Sequence, residues 1–300
     1  MKRSVLIQAA MVLTALAATA PAVWAQGFNG GLPAGWTCAT GGTCGTSGAD
    51  GDIGLSGVAG STAYGYVVTT SDGTADGRAL SPFDSATPTG FTGGGLGGES
   101  AETNGSRLRS TTFAAGLGDA LNFKFNYISS DGTASFIEYA WALVRDASDM
   151  SVEALLFTGR TNPSGPAVPG FGLPPPSAGV NLNGGLPVNI IANAPDWSPL
   201  NESSGGCFGG LGNGCGFTGW IDSTYTFAAA GSFFLEFGVI NWGDTAFQAG
   251  LAFDGITVAG VPIDEVPGPG IPAIPEPETY ALMLAGLGAV ALMARRRRRD

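Results

Sequence analysis

The sequence predicts an all-β chain folded as a jelly-roll-like β-sandwich with long Gly/Pro-rich loops, carried between an N-terminal signal peptide and a single short C-terminal transmembrane helix. Three observations predict it. Fifty glycines and 19 prolines in 300 residues make about 23 % of the chain against the ~12 % of ordinary proteins, which multiplies turns and disfavours long helices. Short runs alternate apolar and polar residues at period two, the signature of strands with one buried face. Between the two ends lie about 250 residues, enough to bury a core as one sandwich.

The strands follow in order. Thr62 to Thr70 is the first clear strand, turned by Asp72-Gly73. Residues 82 to 106 are rich in Gly and Thr, and their Gly93-Gly-Gly-Leu-Gly-Gly98 matches a dinucleotide-binding pattern only in form, since no strand leads in and no apolar helix follows. The clearest alternation is Leu121, Phe123, Phe125 and Tyr127 against Asn122, Lys124 and Asn126. After an Asp131-Gly132 turn come Phe136 to Val144 and Val152 to Thr158. Phe233 to Ile240 and Leu251 to Val258 close the series, for roughly 8 to 10 strands in all. Residues 161–216 form a Pro/Gly/Asn-rich insertion without strand periodicity, a length that in a compact domain marks a functional or poorly ordered loop.

Charge narrows the partners. Residues 26–274 hold six basic against 21 acidic side chains, a net charge of −15, so this body repels phosphate backbones and nucleic acid is not an expected partner. The chain has no histidine, which excludes Ser-His-Asp and Cys-His nucleophilic sites and removes the usual ligand of catalytic zinc. Four cysteines in an exported chain point to disulfides. Their spacing favours the local pairs Cys38 with Cys44 and Cys207 with Cys215, among three possible connectivities, with a metal site as the alternative.

The two ends are addresses. Met1-Lys2-Arg3, an apolar run from Val5 to Ala18 and the small residues up to Val23-Trp24-Ala25 form a secretory signal peptide over 1–25, cleaved after Ala25, with Ala20-Pro21-Ala22 as a second possible site. At the other end a Pro-rich linker over 260–274 precedes Pro275-Glu276-Pro277, an apolar stretch over 280–294 and the block Arg295, Arg296, Arg297, Arg298 and Arg299. As a helix that stretch reaches only about 22 Å, short of the ~30 Å hydrocarbon layer. It suits a temporary anchor, and the arginines orient it with residues 26 to about 275 outside the cytoplasm.

Pro-Glu-Pro, a short apolar helix and a terminal arginine block, joined to a signal peptide, resemble the PEP-CTERM proteins of Gram-negative bacteria. The resemblance implies an exosortase-type processing enzyme as partner, transient residence in the inner membrane, and delivery to the cell envelope or outside the cell. It also implies a link to exopolysaccharide or biofilm matrix. The tail over 275–300 is then a sorting signal, and the body over 26–259 a β-sandwich domain. Segments at Thr103 to Ser110, Phe125 to Gly132, Tyr139 to Leu143, Phe237 to Ala246 and Gly250 to Ile256 resemble a β-sandwich branch of the same family. The Phe253-Asp-Gly-Ile256 ending is similar to the last strand of carbohydrate-binding-type jelly rolls.

No residue set commits the chain to catalysis. Asp131 and Asp254 at strand ends are the candidates for a calcium ion, with Glu138 and Asp244 nearby in sequence, although Asp-Gly is first of all a turn dipeptide. Trp220 and Trp242, with Trp36 and Trp197, are candidates for stacking on sugar rings, or else core. A glycosidase needs only two carboxylates, and Glu138, Glu153 and Glu236 exist, but Glu138 and Glu236 fall in regular alternation and are expected on an outward polar face. The reading is a non-catalytic exported surface or matrix protein without a cofactor, with a carbohydrate-binding module and a glycoside hydrolase as alternatives.

Overall fold

Alternating residues bury one face only if a second sheet faces them, and the computed structural model supplies two antiparallel sheets packed face to face. It describes residues 27–83, 101–131, 133, 135–161, 166–211 and 214–263. The strands are β1 (Thr37–Cys38), β2 (Thr43–Ser47), β3 (Tyr64–Val68), β4 (Glu102–Arg109), β5 (Phe113–Ala115), β6 (Ala120–Ser129), β7 (Tyr139–Asp146) and β8 (Val152–Arg160). After the insertion begins come β9 (Val180–Leu182), β10 (Ile191–Ala192), β11 (Gly216–Phe217), β12 (Ile221–Thr226), β13 (Gly231–Trp242), β14 (Ala249–Val258) and β15 (Val261–Pro262). Among the described residues the one α-helix is the single turn α1 (Gly77–Leu80).

The smaller sheet runs β1-β4-β13-β7-β8, with β5 also on β13. The larger runs β10-β11-β6-β14-β3-β2, with β12 on β6, β9 on β12 and β15 on β14. The expected alternation in β6 holds: Leu121, Phe123, Phe125 and Tyr127 point into the core. Two aromatic stacks join the sheets. Phe125 lies on Phe157 of β8 with ring centroids 3.8 Å apart, and Phe253 of β14 lies on Phe237 of β13 at 4.1 Å. Such pairs add about 0.5–1.5 kcal/mol beyond the area they bury. Phe28 and Trp36 pack edge-on to each other against the second stack.

Burial extends past this core to the outer faces. On the smaller sheet Tyr139, Trp141, Leu143 and Ile240 are covered by Leu80 of α1, Phe83 and Leu173. On the larger sheet Tyr64, Val68, Ile128 and Ala252 lie under Trp197 and Leu200, which a short 3-10 turn at Ser198–Ser203 presents. The 161–216 insertion, which lacks strand periodicity, therefore carries structure: it caps both outer faces and adds β9 and β10 to the larger sheet. The sheet also continues past 259, since β15 folds back on β14 and Ile263 is buried.

Both disulfides have the local pairing, Cys38 to Cys44 and Cys207 to Cys215. The first joins β1 to β2, tying an edge strand of the smaller sheet to an edge strand of the larger.

Candidate functional site

The most concentrated chemistry in the described residues sits on the outer face of the smaller sheet, where Arg107 and Arg109 of β4, Glu236 of β13 and Arg145 of β7 meet. Register explains the meeting. Glu236 pairs across to Arg109 on one side and Leu143 on the other, and residues two apart along a strand share a face. Glu236 is fully buried. Its Oε2 accepts from Arg109 Nε at 2.9 Å and Arg145 Nε at 3.1 Å; its Oε1 accepts from Arg145 Nη2 at 3.2 Å and Trp141 Nε1 at 3.4 Å. Arg109 Nη2 lies 2.9 Å from Oε2, and Arg107 Nε stands off at 3.9 Å. Burial alone would push the Glu236 carboxyl up, but the pull of Arg145, Arg107 and Arg109 outweighs it and holds the group below the usual range.

A second polar group closes one end of the sandwich. Glu138, just before β7, is fully buried; its Oε2 accepts from Ser129 Oγ at 3.2 Å while Oε1 has no hydrogen-bond partner. Burial, and then the charge of Asp131, raises its pKa well above the ordinary value. Arg160 of β8 lies beside it with its guanidinium over the Trp242 and Tyr139 rings, 4.7 and 5.4 Å from their centroids.

The structure corrects the sequence expectation for Glu138 and Glu236: neither lies on an outward polar face. The outer face of β7 and β13 is roofed by α1 and the 170s segment, so alternation there separates two buried faces. Glu153, the third carboxylate named for hydrolysis, accepts from Tyr225 Oη at 2.9 Å and belongs to neither group.

The two calcium candidates are not brought together. Asp254 pairs with Lys124 in the β14–β6 ladder, and Asp131 lies seven residues further along the β6 chain, about 23 Å away at ~3.3 Å per residue. Asp254 is buried and accepts from Ser61 Oγ at 2.7 Å, from Ser56 Oγ and from Gly255 N at 2.8 Å. It pins the 54–61 loop to β14. Asp131 braces its own loop, its Oδ1 accepting from Thr133 N at 3.2 Å. Among the described residues no group of three or more His, Cys, Asp or Glu side chains is placed to hold a metal ion.

Trp36 and Trp197 are core. Trp220 and Trp242 are each half-buried and lie on opposite sheets: Trp220 leads into β12 and donates to Gly54 O at 2.8 Å, and Trp242 ends β13 beneath Arg160. They form no common platform. Sequence reasoning passed over Arg107, Arg109 and Arg145; the signal available was that Arg107 and Arg109, two of only six basic residues in the body, stand two apart and so share one face of a strand. Ala25, Pro275, Glu276, Pro277 and Arg295 to Arg299 lie outside the described residues.

The C-terminal sorting signal behind this all-β body points to an exported surface protein. Residues 273–299 match the PEP-CTERM protein-sorting motif, so the chain carries the tail that its Pro-Glu-Pro, apolar stretch and arginine block resemble. No curated protein matches the chain. Among solved structures the chain is similar to the K1 cleaved adhesin domain of Lys-gingipain from Porphyromonas gingivalis W83, at 15 % identity and a TM-score of 0.36 over 78 % of this chain and 95 % of that one. It is also similar to the K3 cleaved adhesin domain of the same protein, at 14 % identity and a TM-score of 0.32 over 77 % and 95 %.

Proposed function

We propose that this chain is a non-catalytic surface or extracellular-matrix protein whose β-sandwich is exported behind its signal peptide and held as an inner-membrane-tethered precursor. An exosortase-type enzyme then processes it near Pro275-Glu276-Pro277 and releases it to the envelope or to an exopolysaccharide matrix. The observation that carries this reading is the sorting-motif match at 273–299. Physical chemistry supports it: an apolar helix of about 22 Å underfills a ~30 Å bilayer core, which suits an anchor that is held and then cut. Two disulfides with no free cysteine among the described residues fit an oxidising compartment. The burial of Glu138 and Glu236 favours a structural role for both over hydrolysis.

Intact-mass measurement of the mature protein tests processing. The expected species ends upstream of Arg295; bulk mature protein that retains Arg295 to Arg299 would overturn it.

A further inference from the structure

Glu236 is oversupplied with cations. An ionised carboxylate offers about four lone-pair sites. Two nitrogens of Arg109, two of Arg145 and the Trp141 indole N–H already occupy them. Arg107 is left over, 3.9 Å from Oε2, and its guanidinium donates no hydrogen bond among the described residues. Its side chain keeps 21 % exposure and that of Arg109 30 %, and the two stand two residues apart on the same face of β4.

The local charge is three positive against one negative, on a body of net charge −15 that has only six basic residues. The fold holds these guanidinium groups in place. Arg107 pairs across to Gly238, and the indole of Trp141 lies over that glycine, where a Cβ would sit 2.1 Å from Cζ2. Arg109 rests over the Phe234 ring, 5.5 Å from its centroid. Partial burial, and the repulsion of Arg109 and Arg145 working against the attraction of Glu236, destabilise the charged form of Arg107. A second anion would relieve that repulsion, and the planar guanidinium fork of Arg107, beside the Nη1 of Arg109 that Glu236 leaves over, matches the geometry of an oxyanion.

We propose that Arg107 and Arg109, backed by Arg145 and Glu236, form a binding site for a single oxyanion group, a carboxylate or a sulfate, borne either by a small free ion or by an anionic polysaccharide. Nucleic acid fits less well, because its duplex carries one negative charge per ~1.7 Å against a body of net charge −15, a denser run of repulsion than spaced oxyanion groups on a glycan meet. This goes beyond the sorting reading and stands or falls without it, since it concerns the sandwich alone.

The test is titration of the full-length protein with sodium sulfate, sodium glucuronate and an oligouronate, each at ionic strength held constant with sodium chloride. Saturable binding is expected, weakened about tenfold or more by Arg107→Gln, as the loss of one charge-assisted contact implies. Lys124→Gln, on the other sheet, should leave it unchanged. Tighter binding of the oligouronate than of glucuronate would assign the site to a glycan, and equal binding to a free ion. Because Arg107→Gln leaves Glu236 saturated, the variant should fold, which circular dichroism checks. In the parent protein the Arg107 and Arg109 Nε–H resonances should shift with the binding midpoint. Absence of saturable binding of all three anions, binding unaltered in Arg107→Gln, or resonance shifts confined to other residues would each overturn the proposal.

Discussion

Replacing Glu236 by glutamine removes the single negative charge that holds Arg109 and Arg145 on the outer face of the smaller sheet. The parent carboxylate is fully buried, and Arg145 keeps only 9 % side-chain exposure, so the unpaired guanidinium cannot simply turn to water. Breaking a buried pair from one side costs about 3–5 kcal/mol. At ~2–4 °C per kcal/mol for a body of this size, the melting temperature should fall by about 6–20 °C. Arg107→Gln is the internal control: its ion pair is long and partly solvated, so a loss of about 0–1 kcal/mol is expected. The double variant Glu236→Gln with Arg145→Gln should recover part of the loss, because it removes the stranded cation. The effect also has a pH signature. The folded pKa of Glu236 lies below its unfolded value, so its stabilisation is present above the ordinary carboxylate range, near ~4.3, and is lost as pH falls through the folded value. The gap between parent and variant should therefore narrow on acidification. Thermal melts by circular dichroism across pH measure all of this. A Glu236→Gln variant melting within about 2 °C of the parent at neutral pH would refute the account of the cluster.

Three further outcomes follow from the disulfides and from Glu138. Non-reducing peptide mapping should recover Cys38 with Cys44 and Cys207 with Cys215, and replacing either pair by alanine should cost about 2 kcal/mol by the loop-closure estimate; a peptide linking the two pairs would contradict the structure. Glu138→Gln should flatten the pH dependence of stability: burial, then the Asp131 charge, raises the folded pKa of Glu138, so the parent is most stable below the ordinary carboxylate range and loses stability as pH rises toward that folded value. Urea unfolding of parent and variant with identical slopes against pH would contradict it.

The sandwich was legible wherever one strand carried its own signal. Leu121 to Tyr127 alternates because one side of β6 faces the core, and the local cysteine pairs follow from short spacing. What escaped depended on partners distant in sequence. Glu236 reads as a solvent-facing residue on its own strand; its burial depends on Arg109 and Arg145, 127 and 91 positions away. Glu138 depends on a partner from the other sheet: it turns inward, on the side of Ala140 and Ala142, to meet Ser129 of β6. In the 161–216 insertion, strands of two or three residues are too short to show a period, yet Trp197 and Leu200 cap the larger sheet. The sorting tail was legible because its three parts are contiguous and need no fold to be read.

The central claim is that the tail directs delivery, and truncation after Ile274 tests it most directly. Cell fractionation followed by immunoblotting should find the full chain in the envelope or the medium in processed form. The truncated chain, still folded and disulfide-bonded, should fail to appear there as that species. If deletion leaves both destination and mature mass unchanged, the tail is not the address and the account is wrong.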